Sequence, residues 1–158
     1  MRLKLIISIF SFFIMTPWST VQSADVENGK QLFKACTLCH GKYGQGIKGG
    51  LYPRIAGHPE YYTLHQIDLF VSEKRFNPAM TSVGRLGSIT DKEKEDLAAY
   101  IASIDLNALQ VPMDIPVFTG DAKKGKKLYK GDCKTCHGKK AEGKPKKDAP
   151  PTAGQYSE

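Results

Sequence analysis

Apolar residues along the chain form one near-continuous block and three periodic stretches. The block, Leu5 to Met15, follows Arg2 and Lys4 and gives way at Pro17 to small and polar residues. That layout is an export signal, with Val21 and Ser23 as the small residues ahead of the cleavage point. The apolar run is too short to span a bilayer comfortably. Residues 1–23 therefore read as a signal peptide cut near Ser23, with Ala24 as the adjacent alternative. In the first periodic stretch, residues 26–39, Val26, Gly29, Leu32 and Phe33 share one helical face. A second helix starts near Pro59, a residue suited to a first helical turn, and runs to about Ser72 with Tyr61, Leu64, Ile67 and Val71 as its stripe. The third opens on a capping box, Thr90-Asp91-Lys92-Glu93, and runs to about Ile104, burying Leu97, Tyr100, Ile101 and Ile104. Gly41 to Gly50 is a glycine-rich loop, and Arg75 to Gly87 reads as irregular. Residues 106–120, with Pro112 and Pro116, read as a linker. The pattern specifies an all-α protein.

The pattern then starts again. Gly29-x-x-x-Phe33 recurs as Gly125-x-x-x-Tyr129, and Cys36-Thr37-Leu38-Cys39-His40 recurs 97 positions on as Cys133-Lys134-Thr135-Cys136-His137. The same offset carries Gly46 to Gly143, Pro53 to Pro150, and Ala56-Gly57 to Ala153-Gly154. The chain is an internal duplication: a first domain over 24–105 and a second over 121–158. Met80 projected by that offset lands at position 177, beyond Glu158. The second unit is thus expected to be incomplete, as a truncated product or partial sequence.

The duplicated five residues carry the chemistry. Two thiols three residues apart on one helical turn can each bond a vinyl group of the same porphyrin. The histidine that follows is then held under the ring, where a ring nitrogen ligates iron. All four cysteines and two of the four histidines are consumed by these motifs. A dithiol redox pair does not need the adjacent histidine, and no strand–helix alternation surrounds either copy. A zinc site built from both pairs would leave the histidines without a role. Structural disulfides rank behind these. Two covalent haems of the c type are expected, attached at Cys36 and Cys39 and at Cys133 and Cys136, with His40 and His137 as iron ligands.

A second strong ligand would close each iron and leave only electron exchange. Met80 is the candidate in the first unit, being its only methionine outside the signal peptide and lying downstream in the irregular segment. His58 and His65 compete. The duplication has Gln155 where the first unit has His58, and His65 falls within a helix. Met113 precedes Cys133 by 20 residues and is a weak candidate for the second iron. Pro53 and Pro150 are placed to offer their carbonyls to the ring N–H groups of His40 and His137.

Charge separates the two units. Residues 24–110 hold 10 basic and 10 acidic side chains, whereas 111–158 hold 11 lysines against 6 acidic residues, a balance of +5. A lysine-rich face suits an acidic redox partner protein or loose association with an anionic membrane surface, and equally a merely solvated exterior. Nucleic acid is disfavoured, since that half lacks arginine and the chain is exported. Domains this small bury too little surface to be stable unaided, and a tethered haem supplies both a staple and an apolar body.

Gly29-x-x-x-Phe33, Cys36-x-x-Cys39-His40-Gly41, Pro53-Arg54-Ile55-Ala56-Gly57, Met80 and Leu97-Ala98-Ala99-Tyr100-Ile101 together resemble the class I c-type cytochromes. With the duplication and Pro150-Pro151-Thr152-Ala153-Gly154-Gln155, the chain is similar to their two-haem cytochrome c4 type. The resemblance implies tandem class I cytochrome c-like haem domains with facing propionate edges, His/Met ligation, and a periplasmic electron-transfer role between respiratory redox partners. It leaves open the alternative of a cytochrome subunit in a flavocytochrome sulfide dehydrogenase or terminal oxidase. Catalysis at an open haem is disfavoured by Met80, and no nucleophile or paired carboxylates suggest other enzymology.

Overall fold

A computed structural model describes residues 23–47, 51–112 and 119–153. All of the expected signal peptide but Ser23, the end of the glycine-rich loop, Met113 and Gln155 lie outside the described residues. Helix α1 (Val26–Phe33) is capped by Asp25, whose carboxylate accepts the amides of Glu27 and Asn28, both at 3.0 Å. This satisfies donors that a helix start leaves without partners. The helix expected over 26–39 is divided: a turn at residues 34–36 separates α1 from the short α2 (Thr37–His40). Gly41 ends α2 at φ +81°, a conformation that costs a residue with a Cβ.

Helix α3 (Glu60–Val71) begins directly after Pro59, and α4 (Asp91–Ser103) begins after Thr90 with both bonds of the capping box formed. Between them the segment expected to be irregular holds two short helical pieces: a π-helical turn at Ala79–Val83 and a 3₁₀ turn at Leu86–Ser88. Helix α4 is the central element, with α1 and α3 both packed on it. Leu97 and Ile101 from α4 and Ile104 at its C-terminal cap meet Phe33, Ala56, Ile67, Phe70, Leu86 and Leu106 in one apolar core. Tyr100 is only half-buried but packs edge-on against Phe33 at 5.2 Å between ring centres. On α3 the buried positions are Thr63, Ile67 and Phe70, so the observed face is rotated from the stripe of Tyr61, Leu64, Ile67 and Val71.

The α1–α4 crossing depends on two residues. Gly29 lies against the backbone of Asp96, and an added Cβ would overlap that residue's carbonyl oxygen. The Asp96 carboxylate, 2% exposed, accepts from the Asp25 amide at 2.7 Å, from Asn28 Nδ2 at 2.8 Å and from Lys92 Nζ. A buried charge is tolerable only with such partners.

The second unit repeats the opening of the first with one change. Helix α5 (Ala122–Leu128), capped by Asp121, leads into a π-helical turn at Tyr129–Cys133 and then α6 (Lys134–His137). Phe33 precedes Cys36 by three residues, whereas Tyr129 precedes Cys133 by four. The extra residue is absorbed as the π-helical turn, which takes one more residue than an α-turn. Beyond α6 the chain carries a 3₁₀ turn at Pro145–Lys147 and an isolated antiparallel bridge between Lys144 and Ala149. Tyr61, at the start of α3, donates its hydroxyl to the Ala149 carbonyl at 2.9 Å and so touches the second unit directly.

Candidate functional site

The turn that divides the first expected helix sets up the site. Its last residue, Cys36, accepts the amides of Cys39 at 3.2 Å and His40 at 2.9 Å, holding both thiols and the imidazole on a single compact turn. Cys36, Cys39 and His40 all line a cavity of about 430 Å³. Met80 lines the same cavity, as do Ile67 and Phe70 of α3, Leu97 and Ile101 of α4, and Leu86. The volume is in the range of small-molecule and cofactor sites, and the lining is mainly apolar. The structure thus brings Cys36, Cys39, His40 and Met80 together at one cavity.

His40 is 4% exposed, and its two nitrogens differ in environment. Nδ1 lies 2.7 Å from the Pro53 carbonyl oxygen. A carbonyl can only accept, so Nδ1 carries the proton and Nε2 is left with a lone pair. Nε2 is buried and has no hydrogen-bond partner among the described residues. An unprotonated, oriented and otherwise unsatisfied imidazole nitrogen in a cavity wall is what a metal ligand requires. With two thiols on the adjoining turn and a thioether lining the same cavity, the residues fit a covalently tied haem. Burial pushes the Cys36 thiol up to about 11, with the neighbouring Cys39 adding to the effect and the Cys36 backbone partly opposing it. The free thiol accordingly stays protonated at neutral pH.

Of the histidines that compete with Met80, His58 lines the cavity and packs edge-on to Tyr62 at 5.2 Å between ring centres, while His65 is not part of the lining. Gly84 presses on the π-helical turn that carries Met80: a Cβ there would stand 2.5 Å from the Met80 carbonyl oxygen.

The second motif repeats the local bonding closely. His137 Nδ1 lies 2.9 Å from the Pro150 carbonyl oxygen. The amides of Gly46 and Gly143 donate to the carbonyls of His40 and His137 at 2.9 and 2.8 Å. The amides of Ile55 and Thr152 donate to the carbonyls of Gly44 and Ala141, both at 2.9 Å. Coverage differs. Cys133 and Cys136 are exposed and His137 is half-buried, because no counterparts of α3, α4 and the Met80 turn pack over them among the described residues.

Periodicity missed several lining residues, among them Thr63, Gln66, Arg75 and Asn77. Their polar side chains match no apolar stripe, so nothing in the periodicity marked them. Among the described residues no helix is long and apolar enough to cross a membrane.

Comparison with known proteins agrees with this geometry. Residues 26–105 and 122–158 match the family described as Cytochrome c. A cytochrome c-552 from Acidithiobacillus ferridurans is 33% identical over 95 residues, covering 54% of this chain and 40% of that protein. A thiosulfate dehydrogenase electron acceptor from Thiomonas intermedia is 29% identical over 116 residues, covering 69% of this chain and 52% of that protein. The chain spans about half the length of such curated relatives. Reduced recombinant cytochrome c4 from Pseudomonas stutzeri superposes with a TM-score of 0.65 at 27% identity, over 84% of this chain and 74% of the other.

Proposed function

Because the chain belongs to the cytochrome c family, we propose that it is a periplasmic electron carrier holding two covalent haems and exchanging single electrons with respiratory redox partners. Cys36 and Cys39 tether the first haem and Cys133 and Cys136 the second, through thioether bonds. His40 and His137 would hold the irons, and Met80 would be the second side chain to hold the first. The bound group supplies a ferric–ferrous couple, and the chain governs how that couple behaves. Pro53 fixes the plane and tautomer of His40, so the imidazole keeps one orientation in both oxidation states. The wall of Ile67, Phe70, Leu86, Leu97 and Ile101 excludes water, which favours the form of lower net charge. Were His40 and Met80 both to hold the iron of the first haem, no substrate site would remain there, which supports a carrier rather than an enzyme by itself. Residues 1–23 serve as the export signal, with cleavage near Ser23.

The observation that carries this reading is the buried, unpartnered Nε2 of His40 beside Cys36, Cys39 and Met80 at one cavity. Expression in cells competent for periplasmic haem attachment tests it. A denaturing gel should retain haem stain, and the haemochrome spectrum should report two haems per chain, falling to one in the Cys133→Ala, Cys136→Ala double variant. A colourless band would end the proposal. A second reading, a cytochrome subunit that receives electrons from an associated dehydrogenase, is favoured by the likeness to a thiosulfate dehydrogenase electron acceptor. Co-purification with a larger redox protein at fixed stoichiometry selects it over a free carrier.

A further inference from the structure

The wall of the first cavity contains a second polar atom with nothing to bind. Thr63 is 7% exposed, and its Oγ1 is buried without a hydrogen-bond partner among the described residues. Threonine in a helix commonly returns its hydroxyl to the carbonyl four residues back. In α3 that carbonyl belongs to Pro59 and accepts the Thr63 amide at 3.0 Å, but it does not receive the hydroxyl. The other buried positions of the helix are filled by Ile67 and Phe70. A hydroxyl is costly to bury unpaired, so its partner belongs to whatever occupies the cavity.

This step rests on the haem reading above, and it narrows by elimination. The iron is served by His40 and Met80, and the vinyl edge by Cys36 and Cys39. The rest of a haem's periphery is hydrocarbon except for two carboxylates. We infer that Thr63 is a positioning residue that donates its hydroxyl to one of the haem propionates and holds that carboxylate ionised. The neighbouring lining agrees, since Tyr62 and His58 bring further polar groups to the same end of α3. The titratable or charged groups lining this cavity, apart from the cysteines and His40, are Tyr52, His58, Tyr62 and Arg75.

The test uses the matured, haem-loaded chain. Thr63→Val keeps the shape and removes the donor, and Thr63→Ser restores the donor. Reduction potential is measured against pH for all three proteins. A propionate that has lost its donor ionises at higher pH, so the bend in the Thr63→Val curve should move up by about one pH unit. Thr63→Ser should return it to the parent position. An unmoved bend in Thr63→Val, with haem attached and the ferric sulfur-to-iron band intact, overturns the assignment. A change confined to that band also overturns it, because the hydroxyl would then serve Met80. Loss of the haem stain from the parent protein is a different result, and it would remove the underlying haem reading instead.

Discussion

Gly29 of α1 lies against the backbone of Asp96 in α4, with room for no side chain between them. A Cβ on Gly29 would overlap the Asp96 carbonyl and stand 2.8 Å from Cβ of Tyr100. Gly29→Ala should therefore gain helix propensity and still lose stability, because the helices must separate. The expected net loss is about 2 kcal/mol, read as a lower denaturant midpoint. The same change at Gly125 meets nothing within 4 Å and should be neutral or slightly stabilising.

Acid should weaken the same crossing through Asp96. Burial disfavours its charged form, but hydrogen bonds from Lys92, Asn28 and the Asp25 amide outweigh that and hold the carboxyl below the usual range. A carboxyl lowered on folding stabilises the fold fully above its unfolded value of about 4, and that contribution is lost as pH falls through the folded value. Asp96→Asn should cost about 2 kcal/mol at pH 7, since it leaves Lys92 and a backbone amide imperfectly paired. It should also flatten the stability curve below pH 4. Equal acid slopes for parent and variant in denaturant titrations would show that Asp96 is not the group responsible.

Gly84 sets the backbone of the turn that carries Met80. Its amide closes the π-helical turn on the Ala79 carbonyl at 3.2 Å, and a methyl group there collides with the Met80 carbonyl. Gly84→Ala should displace the thioether, weakening the ferric sulfur-to-iron band and admitting carbon monoxide to the ferrous first haem. Met80→Ala should do both completely. If Met80→Ala keeps a low-spin spectrum that refuses carbon monoxide, His58 is the ligand to examine next, being the other histidine on that cavity wall.

Ala141 occupies the place of Gly44 in the repeated loop and shares its left-handed backbone, at φ +61° against +71°. That conformation strains a residue with a Cβ by about 1 kcal/mol, partly offset by the freedom glycine would lose on folding. Ala141→Gly should stabilise the loop by about 0.5 kcal/mol. Exchange of the Thr152 and Ala153 amides, both bonded to the Ala141 carbonyl, should slow about twofold.

The parts legible in sequence were those governed by short-range chemistry. The Thr90–Glu93 capping box, the paired thiols, and the carbonyls of Pro53 and Pro150 on their histidines depend on residues 3 to 13 apart. What periodicity could not give was the orientation of α3. That helix is half-buried around much of its circumference, serving the cavity on one side and α4 on another, so Tyr61, Leu64 and Val71 look as apolar as the face that is buried. Thr63 is buried on α3, yet a hydrophobicity count reads a threonine there as the outside. The turn that splits α1 from α2 was likewise invisible, since Lys34-Ala35-Cys36 contains no residue that breaks a helix.

The π-helical turn ahead of Cys133 has a bearing on how such chains lengthen and diverge. One added residue between Tyr129 and Cys133 shifts everything upstream by a position while the attachment turn and its following loop stay in register with the first copy. The Cys-x-x-Cys-His turn is thereby insulated from length changes in the helix that leads to it. An insertion that would elsewhere rotate a binding face out of place is confined to a single widened coil.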